Sequence, residues 1–209
     1  MYRRNIKHSS VNNIFKFASQ KMKTVFTVES FLEFDTCFHF EYSPDVISFE
    51  AQPLTFKYQF DDKVRRYTPD FLVTDKKYGE RFIEVKPSNR TINEEFRLEF
   101  SLKQKQSLIL GKPLILVTEK QIRINPILNN LKLLHRYSGF QSLTPLQYKL
   151  LEIIKSFGMV RIVQIIQSES VTEGEVLASI LGLISHGFID TDLINSDINM
   201  QSKVWLSNV

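Results

Sequence analysis

The chain has 209 residues, 43% of them hydrophobic, with a net charge of +4 and one cysteine, Cys37. That length suits one medium domain, or a domain with a small appendage. No apolar run approaches the ~18–20 residues of a membrane span, and a single cysteine excludes an internal disulfide and a cysteine-based zinc site.

No apolar h-region follows Arg3 and Arg4, so no secretory signal is read and a reducing cytoplasm is expected. The charge is unevenly spread. Residues 1–28 contain six Lys/Arg and no acid, whereas residues 143–209 hold four Lys/Arg against seven Asp/Glu. A basic N-terminal part fits a polyphosphate partner, although a basic tail that only aids solubility fits the same charges.

In chain order, residues 1–26 read as an irregular basic arm, a candidate DNA contact. Thr27 is a candidate cap for a helix from Val28 to about Glu41, with Phe31, Phe34 and Phe38 as its apolar face. Glu29, Glu33 and Cys37 fall on another stripe of that helix. A strand follows near Asp45–Glu50. Leu54, Phe56, Tyr58 and Phe60 then alternate into a turn at Asp61-Asp62-Lys63, and Val64–Tyr67 returns as a hairpin.

Tyr67–Thr74 and Arg81–Lys86 read as two further strands around the polar loop Asp75-Lys76-Lys77-Tyr78-Gly79. If that loop closes symmetrically, Asp70 lies directly across from Glu84, with Cβ atoms ~4.5–5.5 Å apart. A one-residue slip would send the two carboxylates to opposite faces. Two carboxylates can hold a hard divalent cation, which lowers the pKa of a bound water and offsets charge on a phosphate. Lys86 shares a strand face with Glu84 and can neutralise the reacting phosphate. The bland alternative is a set of solvated surface charges.

Asn93–Leu110 predicts a long helix ended by Gly111, and Pro113–Thr118 predicts a strand buried on both faces. Together these imply an α/β fold, a mixed sheet flanked by helices. A helix is expected over Asn125–Tyr137 and a domain boundary at Ser138-Gly139. Beyond it come a helix opened by Thr144-Pro145, a short segment over Val160–Gln167, a helix over Thr172–Ser185, and a hairpin from Ile189 to Leu206. That pattern reads as a smaller winged-helix-like domain. Its third helix carries Glu173 and Glu175 and no Lys or Arg, which points to a protein partner rather than a DNA groove.

Several segments, taken in order, resemble the TnsA-type endonuclease subunit of heteromeric transposases. They are Ser30-Phe31-Leu32-Glu33, Val46 through Pro53, Thr68-Pro69-Asp70-Phe71-Leu72-Val73, Phe82-Ile83-Glu84-Val85-Lys86-Pro87, and Leu181 through Ile189. The resemblance covers most of residues 25–190. It implies a restriction-endonuclease-like catalytic domain over residues 27–138 and a partner-binding domain over 139–209. It also implies Mg²⁺-dependent hydrolysis at the 5′ ends of a transposon, with Mn²⁺ able to substitute. Its implied partners are DNA, an integrase-like transposase (TnsB) and an ATP-using regulator (TnsC), in a bacterial cytoplasm and on the nucleoid when bound.

By position, Glu33 matches the family's catalytic acid, Asp70 the central metal ligand, Glu84 the second strand ligand and Lys86 the catalytic lysine. The Val85 carbonyl is a further candidate metal ligand. Gln occurs in the family at the position of Glu84, and Glu is the stronger ligand. Glu29 lies on the same stripe as Glu33, but the distance to Gln52-Pro53 favours Glu33. Two alternatives stay open: a restriction or junction-resolving nuclease on the same fold, and a non-catalytic winged-helix regulator. Gln52 is expected near the site in a structural role. The four histidines show no ligand spacing, and Lys103 and Lys105 are candidate phosphate contacts.

Overall fold

The computed structural model describes residues 14–166 and 171–207. The chain divides into two compact units, residues 1–123 and 124–209. In the first, β1 (Phe15–Ser19) and β2 (Thr24–Val28) form an antiparallel hairpin ahead of α1 (Phe31–Tyr42). The hairpin is tied to the end of α1. Glu41 accepts the Gln20 and Lys21 backbone N–H groups at 2.8 and 2.9 Å, and Lys21 Nζ donates to the Phe40, Ser43 and Val46 carbonyls. Residues 15–28 are therefore ordered sheet rather than an irregular arm. The rest of the expected arm, residues 1–13, lies outside the described residues.

The helix starts later than Thr27 suggested, because Thr27 is paired with Lys16 in the hairpin. Ser30 takes the cap instead. Its hydroxyl oxygen accepts the Glu33 N–H at 3.1 Å, a bond worth about 1 kcal/mol at a helix start. Phe34 and Phe38 meet Phe17 edge-on, as an apolar face should, but Phe31 is 60% exposed.

The chain continues through β3 (Val46–Ala51), β4 (Phe56–Phe60), β5 (Lys63–Tyr67), β6 (Phe71–Asp75) and β7 (Gly79–Val85). A 3₁₀ turn (Ser88–Arg90), α2 (Glu94–Ile109), β8 (Leu114–Val117) and α3 (Glu119–Ile122) complete the unit. The main sheet has the order β3-β6-β7-β8. Its neighbours are antiparallel except β7 and β8, which run parallel with α2 as their crossover. This is the mixed, helix-flanked sheet expected from the sequence.

Strand alternation gives the sheet two faces. Phe71 is fully buried on one of them and meets Phe40 of α1. Phe82 and Leu114 lie on the other, in a cluster with Phe100 of α2 and with Phe56, Tyr58, Phe60 and Tyr67 of the separate β4–β5 hairpin. That hairpin turns on Asp61 and Asp62, both at positive φ (49° and 55°), as a two-residue turn between twisted strands requires. One expectation needs correction. β8 is an edge strand, so Ile115 is 37% exposed instead of buried on both faces.

The second unit contains α4 (Ile127–Arg136), α5 (Pro145–Phe157), β9 (Met159–Arg161), α6 (Ile162–Ile166), α7 (Glu173–Ser185), β10 (Ile189–Thr191) and β11 (Lys203–Leu206). Capping boxes at Thr144 and Thr172 open α5 and α7 where the sequence placed them. The sheet has three strands, in the order β10-β11-β9. The third strand departs from the expected two-stranded hairpin: Met159–Arg161, which overlaps only the start of the segment expected over Val160–Gln167, pairs with β11.

The division between units falls at Arg123/Ile124, ahead of the expected Ser138-Gly139. The cause is α4, which packs against α7. Its buried Asn130 side chain also donates to the Leu193 and Ser196 carbonyls and accepts the Ile198 N–H, pinning the long β10–β11 loop. Gly182 of α7 sits in a close approach, since a Cβ there would stand 3.1 Å from the Phe140 ring and the Gln147 side chain and would push them back by a few tenths of an ångström. Among the described residues, no helix is long and apolar enough to cross a membrane.

Candidate active site

The register of β6 against β7 builds the site. Phe71 pairs with Ile83 and Asp75 with Gly79, so one step beyond the ladder Asp70 faces Glu84, as the symmetric loop predicted. The loop locks this register. Gly79 sits at φ 69°, and the Asp75 carboxylate accepts the Lys77 and Tyr78 N–H groups at 2.9 and 3.1 Å. Asp75 also pairs with Arg81 at 2.9 Å.

By alternation, Asp70 and Glu84 belong to the Leu72/Phe82 face, beneath α2 and the β4–β5 hairpin. A cleft of ≈ 1060 Å³ opens there, lined by Asp70, Glu84 and Lys86 together with Lys57, Arg66 and Lys103. Asp70 Oδ2 accepts the Val85 N–H at 2.7 Å, and Glu84 Oε2 accepts the Tyr67 hydroxyl at 2.5 Å. Lys86 Nζ lies 2.9 Å from Glu84 Oε1 and 3.7 Å from Asp70 Oδ2.

These contacts set the charges. Burial raises the Asp70 pKa well above the ordinary carboxylate value, and the adjacent Glu84 charge raises it further, with Lys86 only partly opposing. Burial alone would lower the Lys86 pKa. The Asp70 and Glu84 carboxylates outweigh it and push the ammonium up to about 12. Lys86 is therefore a fixed cation at neutral pH. Tyr67 is held protonated, first by burial and then by the Glu84 carboxylate, so its hydroxyl remains a donor.

Glu33 stands apart from this trio. It is buried at the start of α1, and its carboxylate accepts the Ser30 hydroxyl at 2.7 Å and the Glu29 N–H at 3.1 Å. Burial raises its pKa, and its charge is felt by both Asp70 and Lys86. No hydrogen bond or ion pair joins it to either. Val85 meets Asp70 through its N–H. Glu29 lines the cleft, as does Lys103, whereas Lys105 is exposed on α2 outside it.

Gln52, just after β3, lies in the left-handed region (φ 47°) and donates its N–H to the Asp70 carbonyl at 2.8 Å, while its buried side-chain oxygen has no hydrogen-bond partner among the described residues. His39 and His186 bond the Ile122 and Ser138 carbonyls, in keeping with packing roles. Sequence reasoning missed Tyr67, Lys57 and Arg66. Tyr67 closes a hairpin whose docking over the sheet is a tertiary fact, and only its place three residues before Asp70 hinted at the site.

The residues suit a hard divalent cation in one particular way. Among the described residues, no three of His, Cys, Asp and Glu form a group able to hold a metal ion. Magnesium, however, is commonly held by one or two carboxylates with substrate phosphate completing the shell. Asp70 and Glu84 are two such oxygen donors, the one half-buried and the other buried, facing each other and mutually repelling, and a cation relieves that repulsion.

One known family is similar to this part of the chain. The family model described as TnsA-like endonuclease N terminal matches residues 43–119, from the start of β3 to the start of α3. No curated protein matches the chain. The matched stretch forms the sheet and carries Asp70, Glu84 and Lys86, and a mixed α/β sheet of this kind is consistent with a restriction-endonuclease-like fold. As the resemblance in sequence implied, this part of the chain is similar to the N-terminal domain of TnsA-like endonucleases, which supports a TnsA-type endonuclease.

Proposed function

We propose that the protein is a metal-dependent DNA endonuclease of the transposase type, hydrolysing the 5′ ends of a transposon during excision. The observation that supports this best is the juxtaposition of Asp70, Glu84 and Lys86 in a cleft with basic walls, inside the segment that matches a TnsA-like endonuclease.

In this reading Asp70 and Glu84 hold Mg²⁺ (or Mn²⁺), with Glu33 and the Val85 carbonyl as further candidate ligands. The bound cation supplies Lewis acidity, activating water and offsetting charge on the phosphate. The protein's own residues do the rest. Lys86, permanently charged, stabilises the negative charge that builds on the phosphate oxygens. Tyr67 fixes the orientation of the Glu84 carboxylate, and the Val85 N–H does the same for Asp70.

The second unit is proposed to be a winged-helix-like partner domain. Its element order and three-stranded sheet support that reading, and the acidic start of α7 favours a protein partner over a DNA groove. An integrase-like transposase (TnsB) and an ATP-using regulator (TnsC) are the proposed partners, with the bacterial nucleoid as the place of action. The test is strand cleavage at a transposon end with and without these partners, in Mg²⁺ and in chelator. Cleavage that needs Mg²⁺ and the transposase supports the reading. Efficient cleavage by the chain alone would favour a restriction or junction-resolving nuclease, and no cleavage under any condition would favour a non-catalytic regulator.

A further inference from the structure

Four cationic side chains line the cleft, and they are not equivalent. Lys86 is held by Asp70 and Glu84, and Lys103 lies 3.5 Å from Glu99 and over the Tyr67 ring. Lys57 and Arg66 have neither kind of contact: among the described residues no carboxylate pairs with either one. They are direct cross-strand partners in the β4–β5 hairpin, and both are exposed. Like charges placed opposite each other on one strand face repel, so an isolated hairpin gains nothing from this pair. Neighbouring Arg65 shows the alternative, since it is paired with Asp61 and Glu99. The unpaired position thus coincides with the cleft wall.

We propose that Lys57 and Arg66 form a phosphate clamp that seats the substrate strand beside the Asp70–Glu84–Lys86 site. The ligand class, a DNA phosphodiester, rests on the nuclease reading above. Arg66 is followed by Tyr67, whose hydroxyl reaches Glu84, so the clamp is tied mechanically to the site. Asp70 lies four positions after Arg66, a reach of at most ~14 Å along the chain. At roughly 3.4 Å of rise per nucleotide, the clamped phosphate lies within about four nucleotides of the cut. Arg66 offers a planar fork to two phosphate oxygens and Lys57 a point charge, so the pair can grip one phosphate or two adjacent ones.

The experiment measures binding of the full chain to a fluorescent DNA duplex from about 50 to about 200 mM salt, a range over which phosphate contacts dominate affinity. Wild type, Asp70→Asn, Lys103→Gln and the Lys57→Gln/Arg66→Gln double variant are compared. The double variant is expected to bind more weakly and to lose roughly 1.8 units of log–log salt slope, about 0.9 for each phosphate contact. Lys103→Gln should lose less than one such contact, and Asp70→Asn none. Lys57 and Arg66 are exposed, so their substitution leaves the fold intact, and circular dichroism checks the fold of all four proteins. A double variant with the wild-type slope overturns the clamp, as does weaker binding with an unchanged slope or a wild-type chain that does not bind duplex at low salt. A wild-type chain that binds duplex through the clamp yet never cleaves it in Mg²⁺ would instead remove the nuclease reading while leaving the clamp in place.

Discussion

Lys86 Nζ stands 2.9 Å from Glu84 Oε1 inside the cleft, and the same ammonium is 3.7 Å from Asp70. One cation thus bridges two carboxylates that burial has brought together. Lys86→Met leaves those carboxylates without a counter-charge, and losing one partner of a buried pair costs ~3–5 kcal/mol. Because Lys86 is 33% exposed, the low end is expected, roughly 3 kcal/mol, together with loss of cleavage. A urea midpoint at the wild-type value would show that the bridge contributes nothing to the fold.

Asp70→Asn should do the opposite to stability. The folded-state pKa of Asp70 is raised above its ordinary value of 3.8, so the folded protein binds this proton more readily than the unfolded chain. The ionised carboxylate therefore costs stability at every pH above its raised pKa, and the cost fades as pH falls toward 3.8. In metal-free buffer at neutral pH, Asp70→Asn is expected to melt roughly 2–4 °C higher than wild type, the shift that about 1 kcal/mol gives at this size. The gap should close in acid. Melting curves at pH 7 and pH 4 decide it, and an Asn variant less stable than wild type at pH 7 would contradict the electrostatic account.

Tyr67→Phe keeps the ring over the cleft and removes only the hydroxyl that bonds Glu84. Loss of such an orienting bond typically lowers metal affinity or activity by about 10–100-fold. Isothermal titration with Mn²⁺ and cleavage rates should fall together by that factor. A fall in neither would mean that Glu84 is oriented by Lys86 alone.

Glu33 has two separable roles, a helix cap and a candidate catalytic acid. Glu33→Gln keeps one of the two oxygens that accept from Ser30 and Glu29, so stability should fall by about 1 kcal/mol. If Glu33 also serves the reaction, cleavage falls at least ~100-fold while α1 stays folded. Normal cleavage by Glu33→Gln would assign the residue to the cap alone.

Local pattern carried a large share of this structure. The alternation of Phe56, Tyr58 and Phe60, the polar loop ending in Gly79 and the Thr144 and Thr172 caps each act within a few residues, and each fell where expected. The opposition of Asp70 and Glu84 was legible for the same reason, because a hairpin's register follows from its loop. Long-range pairing was not legible. The hairpin over Phe15–Val28 is held by Glu41 and Lys21, twenty residues apart, and α4 joins the second unit through Asn130. Tyr67, Lys57 and Arg66 reach the site only because the β4–β5 hairpin folds over the main sheet, which no local spacing encodes.

The central claim is that the Asp70–Glu84–Lys86 group performs metal-dependent strand cleavage. The most direct measurement is 5′-strand cleavage at a transposon end in Mg²⁺, with the companion transposase present, comparing wild type with Asp70→Ala. Wild type is expected to cleave, and a folded Asp70→Ala chain that still binds its partner is expected not to. Wild-type rates from Asp70→Ala would contradict it.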